Sequence, residues 1–213
     1  MAKINEIFYS IQGEGTRAGE PCVFVRFTYC NLRCNYCDTE YAFYEGKDLS
    51  IEEIISRIKS YNCNLVEITG GEPLVQKEEC LSLMEKLCAL QYEVMIETGG
   101  SISIAEIDKR VKIIMDLKCP SSGMEKKNYY ENLKLLKSTD ELKFVIGNED
   151  DYLWSKNIIK ENDLENKCIV LFSPVFDKIQ PVEIVNWILR DNLKVRFQLQ
   201  LHKYIWDPQT KGV

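Results

Sequence analysis

Apolar residues along this chain fall into two alternating rhythms. Short apolar runs recur at VFVRF (23–27), LVEIT (65–69), EVMIET (93–98), KIIMDL (112–117), ELKFVI (141–146) and CIVLF (168–172), and each reads as a strand. Between them the spacing lengthens to that of a helical face. Ile51, Ile54, Ile55 and Ile58 predict a helix over about 50–61, opened by a capping-box pattern of Ser50 and Glu53. Leu81, Met84, Leu87 and Cys88 predict a second; Tyr130, Leu133 and Leu136 a third; residues around 150–161 a fourth. Gln180–Pro181 opens a fifth, carrying Ile184, Trp187 and Ile188, with proline well suited to the first helical position. The run LKVRFQLQL (193–201) alternates strictly and predicts a last strand, with Lys194, Arg196, Gln198 and Gln200 on its polar face. Repeated β-α units with short apolar strands imply an α/β fold, a largely parallel sheet covered by helices and joined by right-handed crossovers.

The polar residues cluster where these strands end. Three cysteines, Asp38 and Thr39 follow the first strand; Thr69-Gly70-Gly71-Glu72-Pro73 follows the second; Glu97-Thr98-Gly99-Gly100 ends the third. Asp116 and Lys118 stand past the fourth, and Ser173-Pro174 past the strand at 168–172. Parallel α/β folds build their sites at the carboxyl edge of the sheet, so five separate segments point at one mouth.

The segment CNLRCNYCDT carries the most specific chemistry, with Cys30, Cys34 and Cys37 in one short loop. Three thiolates on a 4Fe-4S cluster leave one iron open to an exogenous ligand. A structural zinc site takes four Cys or His ligands in paired short spacings. Here Cys22, Cys63, Cys80, Cys88, Cys119 and Cys168 are scattered singly, and the one histidine, His202, lies far down the chain. A disulfide framework is disfavoured by the lack of an apolar leader and by the length of the chain, so a reduced, cytoplasmic compartment is expected.

The 213 residues, 45% of them hydrophobic, suffice for one sizeable core, and a single domain over 1–213 is expected. No apolar run is long enough to span a bilayer. With 27 Lys and Arg against 33 Asp and Glu, the net charge of −6 argues against a nucleic-acid partner and for a small substrate. Lys126–Lys127 reads as a solvated turn.

CNLRCNYC, TGGEP and ETGG together resemble the radical S-adenosylmethionine (SAM) enzymes over most of the chain. The resemblance implies a shortened, partial (β/α)6 barrel. It places a 4Fe-4S cluster on Cys30, Cys34 and Cys37, Tyr36 against adenine, and the backbone of Gly70, Gly71 and Glu72 against the methionine amino group. Thr98, Lys118, Ser173 and Pro174 would contact the rest of SAM. TGGEP taken alone is also an ordinary turn.

SIQGEGTRAGEPCVFVRF near the start, CDT after the cysteines and QLHKYIW near the end resemble, more narrowly, the 7-carboxy-7-deazaguanine synthase family. That resemblance implies a lyase that converts 6-carboxy-5,6,7,8-tetrahydropterin to 7-carboxy-7-deazaguanine in queuosine-precursor biosynthesis, with SAM recycled. It further implies Mg2+ on Thr39, a homodimer, an electron donor such as flavodoxin or ferredoxin, and substrate contacts from Gln12, Gly13, Glu14, Arg26, Thr69 and His202.

The residues leave alternatives beside those roles. Arg26, inside an apolar strand, either clamps a carboxylate or pairs internally with Glu14 or Glu67. Thr39 is a magnesium ligand or a local helix cap; Gln12–Glu14 meet a substrate edge or form a polar turn; His202 faces substrate or solvent. The tail DPQTKGV either folds over the site or frays. Two other functions fit the cysteine motif: an activase of glycyl-radical enzymes, and an iron-sulfur electron carrier. The first lacks use for QGEG, Arg26 and HKYIW; the second leaves TGGEP unexplained.

Overall fold

Each of the apolar runs becomes a strand of one nine-stranded sheet, in a computed structural model that describes residues 1–213. In chain order the elements are β1 (Ala2–Ile11), β2 (Pro21–Phe27), β3 (Lys47–Leu49), α1 (Ile51–Lys59), β4 (Leu65–Gly70), α2 (Lys77–Ala89), β5 (Glu93–Thr98) and β6 (Lys112–Asp116). There follow β7 (Glu141–Ile146), α3 (Glu149–Glu161), α4 (Leu164–Lys167), β8 (Ile169–Pro174), α5 (Pro181–Asp191), β9 (Arg196–Phe197) and α6 (His202–Ile205). The spatial order is β3-β1-β2-β4-β5-β6-β7-β8-β9, antiparallel across β3-β1-β2 and parallel from β2 onward. The sheet does not close on itself.

The period of two along each strand separates two environments. Val23, Val25, Phe27, Val66, Ile68, Val94, Ile96, Ile113, Met115, Leu142 and Phe144 pack toward the helices in one large apolar core. The intervening positions face the concave side. There Cys22, Phe24, Leu65, Met95 and Ile114 form a separate small apolar layer. Above it, one step along the same faces, stand Arg26, Glu67, Glu97, Asp116 and Lys143.

The helices confirm their sequence signals. Ser50 caps α1 by accepting from the Glu53 backbone, while the Glu53 carboxylate accepts from the Ser50 backbone at 2.7 Å, completing the capping box. Ile54 and Ile58 are fully buried, each contributing about 1.5–3 kcal/mol. Pro181 begins α5, and Ile184 and Ile188 are its buried residues.

Two expectations are corrected. Residues 130–134 form a short 3-10 turn instead of a full helix. Asn132, fully buried, accepts from the Ile104 backbone at 3.1 Å and donates to the Ile102 carbonyl at 2.8 Å, so it tethers another loop instead of continuing a turn of helix. The predicted strand at 193–201 pairs only through Arg196–Phe197, because Gln198 and Gln200 turn to Glu14. Conversely, β1 is a strand that the sequence pattern does not predict; its register with β2 shifts by a bulge between Ile4 and Glu6.

Candidate active site

The cysteine loop leaves β2 and is zipped to the loop after β4. Gly71 N donates to the Phe27 carbonyl at 3.3 Å and Glu72 N to the Tyr29 carbonyl at 2.8 Å. This approach requires glycine: a Cβ at Gly71 would stand 2.3 Å from Tyr29 O and 2.7 Å from Cys30 Cβ, and one at Gly70, whose φ is +151°, 2.3 Å from Phe27 O. The Glu72 carboxylate points inward, fully buried, and accepts from Leu74 N at 3.0 Å, Thr98 Oγ1 at 2.9 Å and Gly99 N at 2.7 Å. It knits the ends of β4 and β5 together.

Cys30, Cys34, Cys37, Tyr36, Gly70, Gly71, Thr98, Lys118 and Pro174 line a cavity of about 680 Å³ at the carboxyl edge of the sheet. Gln12, Gly13, Glu14, Arg26, Thr39, Thr69 and His202 line it as well. Of the residues assigned a ligand from the sequence two do not, Glu72, whose carboxylate turns to Thr98 and Gly99, and Ser173, and both are buried.

The three thiols are free and half-buried. Burial, the leading cause, pushes all three thiol pKa values up, against a weaker opposing pull from Lys118. Iron binding would therefore displace protons from them. Nowhere do three His, Cys, Asp or Glu side chains converge closely enough to hold a single ion, so the thiols form no closed cage for one metal. Three thiol donors on one loop, beside a cavity that no other cysteine lines, fit a 4Fe-4S cluster with an open iron. The cavity also fits a ligand on that iron. Asp116 Oδ1 is buried without a hydrogen-bond partner and Asp116 Oδ2 pairs with Lys118 at 2.9 Å, so a donor from a bound molecule would complete it. Burial opposes the Lys118 charge, but the Asp116 carboxylate outweighs it and holds the lysine above its ordinary pKa.

The floor is an ionic network that extends beyond the residues singled out above. Lys143 Nζ pairs with Glu14 at 2.9 Å, contacts Glu97 even more closely and lies 4.0 Å from Asp116. Burial disfavours its charge, but these carboxylates hold its pKa well above the usual lysine value. Glu14 is only half-buried, and Lys143 and Gln200 more than offset its desolvation and lower its pKa below the ordinary carboxylate value. Glu67 goes the other way: burial, with Glu97 and Glu14 nearby, raises its pKa well above that range, and Gln12 Nε2 donates to it. Glu67, Glu97 and Lys143 carried a signal in the sequence, since each is a charge embedded in an apolar run, as Arg26 is.

Arg26 does not pair with Glu14 or Glu67. Its Nε donates to Glu6 Oε1 at 2.8 Å across the β1-β2 register, and the guanidinium lies over Phe8 and Tyr41 at 5.7 and 5.9 Å from the ring centres. Both Nη groups make no hydrogen bond to the protein and face the cavity. Thr39 donates its hydroxyl proton to Asp38 at 2.9 Å, and Asp38 pairs with Lys203 at 2.7 Å, which outweighs the desolvation of its crowded site and pulls its pKa down. The Thr39 oxygen lone pairs remain for a hard cation. Leu201 N donates to the Gly13 carbonyl at 2.9 Å and packs His202 against Gly13, half-buried, its pKa lowered by burial against the pull of Glu14. Residues 208–213 fold over the same cavity.

The radical SAM superfamily model matches residues 24–178, from the strand before the cysteine loop to just beyond β8. A 7-carboxy-7-deazaguanine synthase of Chlorobaculum tepidum is 45% identical over 213 residues, covering 99% of this chain and 96% of that protein. The chain belongs to the 7-carboxy-7-deazaguanine synthase family of radical SAM proteins. Another family member, from Koribacter versatilis, is also 45% identical and is covered along its whole length. The crystal structure of QueE from Escherichia coli shares the fold, with a TM-score of 0.77 at 22% identity over 94% of both chains. The open, mostly parallel sheet is thus the radical SAM architecture in the form this family uses.

Proposed function

We propose that the protein, acting as one domain over residues 1–213, converts 6-carboxy-5,6,7,8-tetrahydropterin to 7-carboxy-7-deazaguanine with loss of ammonia, a step of queuosine-precursor biosynthesis. The polarised cavity is the observation that carries this reading. A guanidinium with two free Nη groups lies on one side, and the carboxylates of Glu14 and Glu97 lie on the floor. A carboxylated aminopyrimidinone is complementary to both: its carboxylate would meet Arg26 bidentately, and its amino and ring N–H groups would meet the carboxylates. Gln12, Gly13, Thr69 and His202 would complete the contact.

Cys30, Cys34 and Cys37 would hold the 4Fe-4S cluster, with SAM bound against Tyr36, Gly70, Gly71, Glu72, Thr98, Lys118, Ser173 and Pro174; together these groups supply the 5′-deoxyadenosyl radical. Thr39 would offer one oxygen to Mg2+, the remaining ligands coming from substrate and water. The chain's own work is orientation and exclusion of water, for which residues 208–213 are placed over the cavity. Exposed Val182 and Leu189, seven positions apart on α5, support a homodimer contact. An external flavodoxin or ferredoxin would deliver the electron. No helix is long and apolar enough to cross a membrane.

Anaerobic turnover of reconstituted protein with SAM, Mg2+, reductant and the pterin tests the proposal. Conversion to 7-carboxy-7-deazaguanine with little net loss of SAM is expected. SAM cleavage with the pterin left intact would refute the substrate assignment.

A further inference from the structure

The ionic floor raises a question that the cluster, SAM and the pterin contacts leave unanswered: why a lysine, 5% exposed, is buried among carboxylates in the middle of a parallel strand. An ammonium placed there is costly unless every charge is matched. Lys143 touches Glu14, on the loop after β1, and Glu97, at the end of β5, and it joins segments 129 and 46 residues away.

The acceptor count shows what these two carboxylates still have to offer. An ionised carboxylate has about four acceptor sites. Glu14 receives Lys143, Gln198 at 3.2 Å and Gln200 at 2.9 Å; Glu97 receives Lys143 and, at 3.3 Å, Thr69 Oγ1. Lone pairs remain on both, and both side chains line the cavity. Without the ammonium, two carboxylates so close would share a proton, turning one acceptor into a donor.

From this geometry we infer that Lys143 is a positioning residue that sets ligand specificity: by dividing one ammonium between Glu14 and Glu97, it keeps both as acceptors and makes the floor select ligands that present adjacent N–H donors. The inference rests on the pterin reading and adds a selectivity that this reading does not require. Lys143 itself need not touch the ligand. A purely structural lysine would alter affinity for all ligands alike, whereas a positioning lysine alters the ratio between ligands with and without the donor.

The experiment uses two fluorescent ligands, 6-carboxypterin and 6-carboxylumazine, in which an oxo group replaces the 2-amino donor. Fluorescence titration of the reconstituted protein with SAM gives both dissociation constants. The parent is expected to prefer carboxypterin at least tenfold, and Lys143→Met to narrow that ratio to within twofold. Combining Lys143→Met with Glu97→Gln removes one charge of each sign, and part of the preference is expected to return. This double variant also serves if the single one is poorly folded. A Lys143→Met protein that keeps the parent's ratio overturns the inference, as does a double variant no more selective than the single. If the parent binds neither ligand, the pterin reading fails instead. The thermal-unfolding cycle of Lys143→Met and Glu14→Gln then decides whether Lys143 and Glu14 are coupled at all, and additive changes in that cycle overturn the role of Lys143.

Discussion

Gly71→Ala is the smallest change that acts on the cysteine loop through the fold alone. The added Cβ would stand 2.3 Å from Tyr29 O, 2.8 Å from Tyr29 C and 2.7 Å from Cys30 Cβ, whereas ordinary contact begins at 3.4 Å. The chain carrying Cys30 must therefore retreat by about 1 Å, because its backbone lacks the freedom of a side-chain tip. It is held from both sides, by the hydrogen bonds of Gly71 N to Phe27 O and Glu72 N to Tyr29 O. Overpacking of this kind costs about 1–3 kcal/mol. Two measurements follow: the unfolding free energy of the apoprotein, read from urea titration, should fall by that amount, and iron per chain after reconstitution should drop by at least half. A variant with the parent's iron content and a stability within about 0.5 kcal/mol of it, the range of an innocuous surface change, would refute the steric reasoning.

Glu67→Gln tests the carboxyl on the floor whose pKa is raised. The folded-state pKa of Glu67 is raised above its unfolded value of about 4.3, so its contribution to stability is complete below that value and is lost as pH rises through the folded pKa. The glutamine variant should lose this part of the pH dependence, and equal slopes of urea midpoint between pH 5 and 9 in both proteins would count against it. Arg26→Met removes the free Nη groups and leaves Glu6 only the Tyr41 hydroxyl as a side-chain donor; at about 1.5–3 kcal/mol for a charged hydrogen bond, pterin affinity should weaken by roughly tenfold to a hundredfold, and an unchanged affinity would remove Arg26 from the site. Thr39→Ala should weaken the response of turnover to Mg2+ while leaving iron content intact, and identical Mg2+ titrations would rule out Thr39 as a ligand.

Local signals in the sequence were enough to locate the site because the cysteines, TGGEP, ETGG and the segment at 173–174 all sit at strand ends, and strand ends are local features. The capping box of Ser50 and Glu53 and the proline start of α5 are equally local, and both appear in the structure. The partner of Arg26 was not legible, since Glu6 reaches it only through an antiparallel register offset by a bulge. Nor was the role of Gln198 and Gln200, whose strict alternation suggested a solvent face until Glu14 drew them inward. Tyr130, Leu133 and Leu136 misled in the same way: their helical spacing was genuine, but the Asn132 amide among them serves a loop thirty residues earlier. The embedded charges of Glu67, Glu97 and Lys143 were visible one at a time. Their mutual compensation depends on neighbouring strands and on no pattern within any one of them.

The division of each strand between a helix-facing apolar set and a concave charged set bears on how such a protein can change over time. Val66 and Ile68 answer to packing density, while Glu67 between them answers to whatever occupies the cavity. The two sets interleave in sequence yet face opposite sides of the sheet, so their substitutions should combine nearly additively. A lineage could thus recode the concave charges for a different ligand while the scaffold that presents them stays as it is. The limit on that freedom is the shared ammonium of Lys143, which obliges changes at positions 14 and 97 to come in compensating pairs.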